Sequence, residues 1–434
     1  MVSERTGQAI ADMATDVLVR LNLPMAGLRG QGYDGAANMA GKYSGAQAIL
    51  RRQQPLALYV HCGAHCSNLI TQAACSASPL IQDSLFWVHQ LGVLFGQSGK
   101  FKAMFADIAT TDNQPEPMIN FKLLCSTRWT VWDTAIKAVL TQYDRVLCSL
   151  DKMAGSTSKS AASASGLADH FRKGKIILGL TLASAVVGEL ECLNKSLQRR
   201  TQTVSGMLAV VDCVRSSFQE KRNDQHYVIL FEKANAAVVE SAQIQPTEVP
   251  NARLFPGEAV DYYRVEFFKV LDTVDAQFAE RFDQEGFKDL QKLENMFLTG
   301  QVDDMVDQYP ELKRGALAVE LPFFKSKYDF SCSKEAAEIL RELPVEVRGL
   351  FEQVEALVRL LLVVPASSCE AERSFSTLKR LKTWLRATMS QERLNSVVVC
   401  HVHRDKVDEL DRPNLCQQFI AGSETRKHTF GSFA

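Results

Sequence analysis

Three things are missing from this 434-residue chain, and each absence removes a class of explanation. The first is an excess of either charge: 49 Lys and Arg stand against 50 Asp and Glu, a formal net charge of −1. A surface that is one continuous nucleic-acid clamp is therefore excluded, and any such binding is local. The second is an apolar run of membrane-spanning length. Ile176–Val187 and Ala356–Pro365 are the most apolar stretches; both fall short of the ~20 residues a span needs, and Arg359 interrupts the second. Both read as core helices, and no membrane partner is expected. The third is regular cysteine spacing. The 11 cysteines form no secreted disulfide framework and read as reduced thiols of the nucleus or cytosol. Cys148, Cys192 and Cys213 lie on apolar helical faces, where cysteine behaves as a small hydrophobe. Met1-Val2-Ser3-Glu4-Arg5 leads straight into an amphipathic pattern without signal-peptide features, and no internal repeat stands out.

What is present begins as alternating strand and helix patterns. Gly7–Leu23 reads as a helix with Ile10, Met13, Val17, Leu18 and Leu21 on one side, ended by Pro24. Leu28–Tyr33 and Leu56–His61 read as strands. Gly35–Arg52 and Cys66–Ala77 read as the helices that follow them, Gly41 and Gly45 allowing close packing. From Ser126 onward the pattern is helical. Ser126 or Thr127 caps a helix carrying Trp129, Trp132, Ile136 and Leu140. Ala154–Ser165 is small and polar and reads as a loop. Helices are expected at Ile176–Leu197, Met207–Phe218, Val260–Phe282 and Phe287–Phe297, with a polar break near Gln243–Gly257. Val345–Val364 reads as one helix stopped by Pro365. Ser367 with Glu370 forms a capping box that opens a basic amphipathic helix.

Two stretches carry the chemistry. One is Gly30-Gln31-Gly32-Tyr33-Asp34-Gly35-Ala36-Ala37-Asn38-Met39, a carboxylate among glycines at the end of a strand. The other is Cys369-Glu370-Ala371-Glu372-Arg373-Ser374-Phe375-Ser376, carboxylates at the head of a helix. Acids drawn from distant parts of a chain suit a two-metal phosphodiester site, whose ions sit about 3.5–4 Å apart. The bland alternatives are a turn carboxylate for Asp34 and a helix N-terminal acid for Glu372. Since Glu370 serves the capping box, Glu372 is left for the site. His61, Cys62, His65 and Cys66 suggest zinc, but a structural site needs four ligands and no Cys-x2-Cys pair completes one; zinc is not expected. Lys379, Arg380, Lys382 and Arg386 read either as a solvated face or as phosphate contacts.

In order along the chain, GQGYDGAANMAGKYSG (30–45), HCGAHCSNLI (61–70), STRW (126–129) and Pro365–Asp405 resemble the hAT superfamily of DNA transposases, in particular its zinc-finger-associated, domesticated branch. Asp261-Tyr262-Tyr263 through Asp283 is similar to the linker helix before that last region. Four motifs in order make the resemblance specific. It implies a fold of α/β plus all-α type. A truncated RNase H-like core spans 1–125, an all-helical insertion 126–340, and a C-terminal dimerisation region that completes the core 341–410. A flexible tail at 411–434 is expected after them. By motif position Asp34 matches the second Asp and Glu372 the Glu of a DDE triad, the metal ligands of that family's chemistry. Arg128 and Trp129 match a pair that contacts DNA, Trp129 by stacking on bases near the cleavage site.

The chain departs from the pattern at its start. The family's first three strands, with the first Asp, and its N-terminal DNA-binding module are expected to be absent; Asp12 and Asp16 lie in a helix and do not substitute. The leading expectation is a transposase-derived nuclear protein that forms a homodimer through Phe375, Leu378, Leu381, Leu385, Leu394 and Val398 and is not catalytic as this chain. DNA remains a candidate partner through Arg128, Trp129, Lys379, Arg380 and Lys382. The alternative is a Mg-dependent DDE transposase or nuclease whose missing Asp lies in a longer gene product, with Mg²⁺ its cofactor. A non-functional relic with an open sheet edge is the third. All three place Asp34 and Glu372 side by side in one pocket.

Overall fold

The computed structural model describes residues 4–111, 132–199, 203–250, 253, 255–381 and 388–431, and its chain divides into two units, 1–367 and 368–434. The first unit opens with α1 (Gly7–Arg20), whose N-cap Thr6 accepts a hydrogen bond from the Ala9 N–H at 3.2 Å. The helix stops at Arg20, before Pro24, and Asn22 takes a left-handed backbone with φ 54°. β1 (Gly30–Tyr33) and β2 (Leu58–His61) pair in parallel, Gly30 opposite Leu58 and Tyr33 opposite His61. They make a two-stranded sheet, and among the described residues there is no other.

The glycines of β1 are set by what lies on them. A Cβ at Gly30 would come 2.8 Å from the Val364 Cα, and one at Gly32 would come 2.8 Å from Pro365 Cγ. The segment 364–366 therefore lies directly on that face of the sheet, where only glycine permits such an approach. Its Ala366 carbonyl accepts from the Gly63 N–H at 3.1 Å. Alternate residues point the other way: the Gln31 amide donates to the carbonyls of Gln47 and Ala57, and Tyr33 packs on a cluster of Ala11, Ala46, Ile49 and Leu50.

The expected helix at 35–52 is two, α2 (Ala37–Ala40) and α3 (Ala46–Gln53). A Cβ at Gly45 would meet the Gly41 nitrogen at 2.4 Å, so the glycines close a turn instead of packing a continuous helix. The stripe expected to bury α1 also differs. Ala11 is buried, while Met13, Val17 and Leu21 are exposed. The reason is the close approach of α1 to α3, which runs through Gly7 and Ala11, not through large side chains.

α4 (Gly63–Ala77), α5 (Pro79–Gln97) and α6 (Gly99–Thr111) follow β2. Beyond 131 come α7 (Trp132–Thr141), α8 (Tyr143–Ala154), α9 (Ala161–Phe171), α10 (Gly174–Leu197), α11 (Val204–Lys221), α12 (Asp224–Glu240), α13 (Ala259–Phe282) and α14 (Glu285–Thr299). α10 is the central rod, flanked by α4, α5, α7, α9, α11 and α12. By length and composition it is long and apolar enough to cross a membrane, contrary to the short run expected, yet 72% of its most apolar window is buried inside the fold. Ala161–Ser165, expected in a loop, begins α9: alanine favours helix, and Leu167, Ala168 and Phe171 bury its inner face.

α15 (Arg314–Lys327), α16 (Ser333–Glu342), α17 (Val345–Arg348) and α18 (Glu352–Val363) complete the unit. A 3₁₀ turn at Gly349–Phe351 splits the single helix expected at 345–364 and swings Phe351 into a core with Leu293, Phe297, Phe324, Leu357 and Leu361. The second unit holds α19 (Cys369–Leu381), α20 (Gln391–Val402), α21 (Arg404–Asp408), α22 (Arg412–Ala421) and α23 (Glu424–Phe430). α19 packs on α20, and α22 on α23. The expected tail at 411–434 thus contains two helices. Asp411 caps the first by accepting from the Asn414 N–H at 3.2 Å, and Arg426 lies 4.1 Å over the Phe419 ring.

Candidate functional site

Asp34 follows the last residue of β1, where the Cys62 N–H donates to the Tyr33 carbonyl at 2.8 Å and ends the ladder. Its Oδ1 accepts from the Ala36 N–H at 3.2 Å, a local turn hydrogen bond of the kind Asp commonly makes. Gly35 is required beside it because a Cβ there would come 2.8 Å from His61 Cε1. The imidazole of His61 thus covers the glycine next to the carboxylate. Its ring centroid is 5.4 Å from that of His65, one helical turn into α4.

Burial, then the neighbouring His65, pushes the His61 pKa below its ordinary value, so the ring is neutral at pH 7. Its Nε2 is buried without a hydrogen-bond partner, as is the Tyr59 hydroxyl. Burial raises the Cys66 thiol to about 12. Cys62, also buried, lies 3.6 Å from the Ser367 hydroxyl. The surroundings of Asp34 in the first unit therefore include the His61 imidazole, the Tyr59 phenol and the protonated Cys66 thiol. Among the described residues no three His, Cys, Asp or Glu side chains gather to hold a metal ion. Mg²⁺ selects hard oxygen ligands at near-octahedral geometry, and this donor set does not fit it.

Glu372 belongs to the second unit, in the first turn of α19. Its N–H donates to the Ser368 carbonyl, and its Oε1 accepts from the Ser368 hydroxyl at 3.2 Å. The described helix starts at Cys369, and the capping box expected of Ser367 and Glu370 falls on a side chain, that of Glu370, that is not described. Asp34 and Glu372 stand in different units, so their expected meeting is not a property of either unit alone.

Of the residues expected to touch DNA, Arg128, Trp129 and Lys382 lie outside the described residues. Lys379 and Arg380 are exposed in the last turn of α19. Trp132 is half-buried at the start of α7, whose N-terminus is capped from α10: Glu191 Oε1 accepts from the Asp133 N–H at 2.8 Å. Burial raises the Glu191 pKa. No local sequence signal pairs Glu191 with α7, 58 residues away. Of the expected dimerisation residues, Phe375 is 67% exposed, whereas Leu378, Leu381 and Val398 are half-buried. Leu394 is already buried, since α20 turns it inward, and Leu385 lies outside the described residues.

Comparison with known families gives a match at each end of the chain. Residues 1–45, which include α1, β1 and Asp34, match the ZMYM1/FAM200 RNase-like domain. Residues 334–404, which include Glu372 and Phe375, match the hAT family C-terminal dimerisation region. An RNase-like segment ahead of a hAT dimerisation region in one chain supports a hAT-derived, domesticated transposase-like origin.

Proposed function

We propose that this protein is a homodimerising module of transposase origin, that it pairs through the face of α19 and α20, and that it does not cut DNA as this chain. One observation carries the dimer: the second unit leaves large apolar side chains in water. Phe375 and Val399 on α19 and α20, with Leu415 and Phe419 on α22, are at least half exposed. Large apolar side chains left exposed on a small helical unit suit an interaction site, and the hAT dimerisation match supports a second copy as the occupant. Light scattering of the full chain at micromolar concentration should give twice 48.2 kDa. Phe375→Asp with Val399→Asp should weaken self-association at least ~30-fold, the loss of one or two central apolar contacts. A monomeric mass for the unaltered protein at that concentration would end this reading.

Its chemistry rests on the Asp34 surroundings. Beside Asp34 lies His61, whose pKa burial lowers, and no further carboxylate of the kind a catalytic Mg²⁺ site needs gathers there among the described residues, while Glu372 is engaged by Ser368. Both are read as vestigial triad positions within a reduced RNase H-like core, α7 to α16 forming an insertion. Mg²⁺-dependent nicking of DNA, abolished by Asp34→Ala and by Glu372→Ala, would instead establish a working transposase or nuclease. Duplex DNA, if bound, meets Lys379 and Arg380 along with Arg128, Trp129 and Lys382; Lys379→Ala with Arg380→Ala should then flatten the salt dependence of binding. The compartment in this reading is the nucleus, which imaging of a tagged full chain tests.

A further inference from the structure

A groove of about 430 Å³ runs between α5 and α9, a volume suited to a small ligand. Its floor is aromatic. The Trp87 and His170 rings stack at 3.6 Å with 19° between planes, and Phe86 stands edge-on to Trp87 at 4.9 Å while half exposed. Gln90, Gln97 and Ser163 bring amide and hydroxyl groups to the same space.

Gly166 lines the α9 side of the groove. A Cβ added at Gly166 meets nothing within 4 Å. Neither packing nor backbone conformation calls for glycine at this helical position, where alanine would be more stable. What glycine does preserve is the opening.

The charged groups that act on His170 at the groove are Lys173 and Lys175, with Asp169 and Asp83 opposing them. No acidic or permanently cationic side chain lines the groove, and His170 is held below its ordinary pKa by burial and then by the two lysines, whose influence exceeds that of the aspartates. Neutral hydrogen-bonding walls with a stacking floor suit a planar heterocycle without charge. Lysines just outside suit an anion attached to it. A nucleotide divides its charge in this way, and stacking on aromatic rings with cationic backbone contacts is the general mode of single-strand recognition.

We propose that the groove between α5 and α9 seats one unpaired nucleobase, stacked against the Trp87–His170 platform, with its phosphate at Lys173 and Lys175. The base comes either from a single strand or from a free nucleotide, and the two are separable. Full-length protein is titrated into a fluorescein-labelled short oligo-dT or oligo-dA and anisotropy is read, with deoxyadenosine monophosphate as competitor. Gly166→Leu, which fills the groove with a helix-favouring side chain, should weaken strand binding about tenfold or more, the scale of one lost base stack. Gly166→Ala should leave it within about twofold, since one methyl occupies little of the space. Lys173→Gln with Lys175→Gln, both half-buried and close enough to act on His170, should lower the salt slope by roughly one to two ions. Competition by the mononucleotide assigns the site to free nucleotide, and its absence with Gly166→Leu sensitivity retained assigns it to a strand. Far-UV circular dichroism and the dimer mass report whether each variant folds. Strand binding indifferent to both Gly166→Leu and the lysine pair, or no binding of either probe, would overturn the proposal.

Discussion

Replacing Glu311 with alanine should destabilise the first unit by about 2–4 kcal/mol at neutral pH. Glu311 precedes α15 and fastens it to the foot of β1. Arg29 Nε and Nη2 donate to its two oxygens at 2.7 and 2.8 Å, while Nη1 donates to the carbonyls of Ala26 and Leu28 at 2.7 and 3.1 Å. The Arg29 side chain is 10% exposed and that of Glu311 33%. Stranding one member of a fully buried pair costs about 3–5 kcal/mol; here Arg29 keeps two carbonyl acceptors and water reaches Glu311, which lowers the figure. The pH dependence follows from the hydrogen bonds of Arg29, which hold the Glu311 carboxyl below its ordinary range. An acid depressed in the folded state stabilises fully above its unfolded value, about 4.3, and loses that contribution as pH falls through the folded value. Urea unfolding followed by circular dichroism should therefore show a constant gap between the protein and Glu311→Ala from pH 8 to pH 5, shrinking in more acid buffer. Arg29→Met with Glu311→Leu should recover most of the loss, since apolar replacements remove the stranded charge. No gap at pH 7, or one that persists unchanged well below the folded value, would refute the assignment.

Two further substitutions test the packing of the first unit. Gly32→Val should destabilise by at least ~2 kcal/mol, because its Cβ would lie 2.8 Å from Pro365 Cγ and 3.3 Å from the Pro365 carbonyl. Gly27→Ala, whose Cβ meets Pro24 Cγ at an ordinary 3.9 Å, should be near neutral by the same urea titration. Glu191→Gln should match or exceed the unaltered protein at pH 7. Its raised pKa means that stability falls as pH rises through the unfolded and then the folded value, so a neutral amide that still accepts from Asp133 removes a buried charge. Glu191→Ala, which leaves that N–H without its acceptor, should instead lose about 1–2 kcal/mol.

The parts of this fold that were legible in the sequence are those whose signal is local. Both strands, and the helices of residues 176–197 and 260–282, follow from apolar periodicity and flanking glycine or proline. What was hidden depends on partners far along the chain. Gly30 and Gly32 read only as part of a strand, and nothing local to them reveals that segment 364–366 lies on them. α12 gives no clean stripe, since Tyr227, Ala234 and Val238 are buried while Val228, Ile229 and Val239 face water. Asp34 and Glu372 were legible as positions in a motif, but their hydrogen-bond partners were not. The contact of the Ser368 hydroxyl with Glu372 is one such partner, made within the first turn of α19. The α5–α9 groove went unread because the small, polar run at 154–165 looks like a linker, whereas Ala161 onward is helix.

The dimerisation match begins at residue 334, inside the first unit and not at its end. Residues 334–367 are structural members of that unit. Leu340, Phe351, Val354, Leu357, Val358 and Leu361 are buried in one core with Leu293, Phe297, Leu321 and Phe324. The Glu320 carboxylate of α15 caps α18 by accepting from the N–H groups of Gln353 and Val354 at 2.7 and 3.3 Å. At about 1.5–3 kcal/mol per large buried side chain, those six residues contribute on the order of 10 kcal/mol, as much as the whole net stability of a typical domain. A chain ending at residue 333 should therefore fail to fold, exposing the α14 and α15 core and the glycine face of β1. One ending at residue 367 should unfold cooperatively, keep its helical circular dichroism and run as a monomer. Equal stability of the two truncations would mean that α16 and α18 merely decorate the first unit. The loss of self-association without loss of fold at 367 would place the dimer contacts in the second unit, while its structural foundation stays in the first.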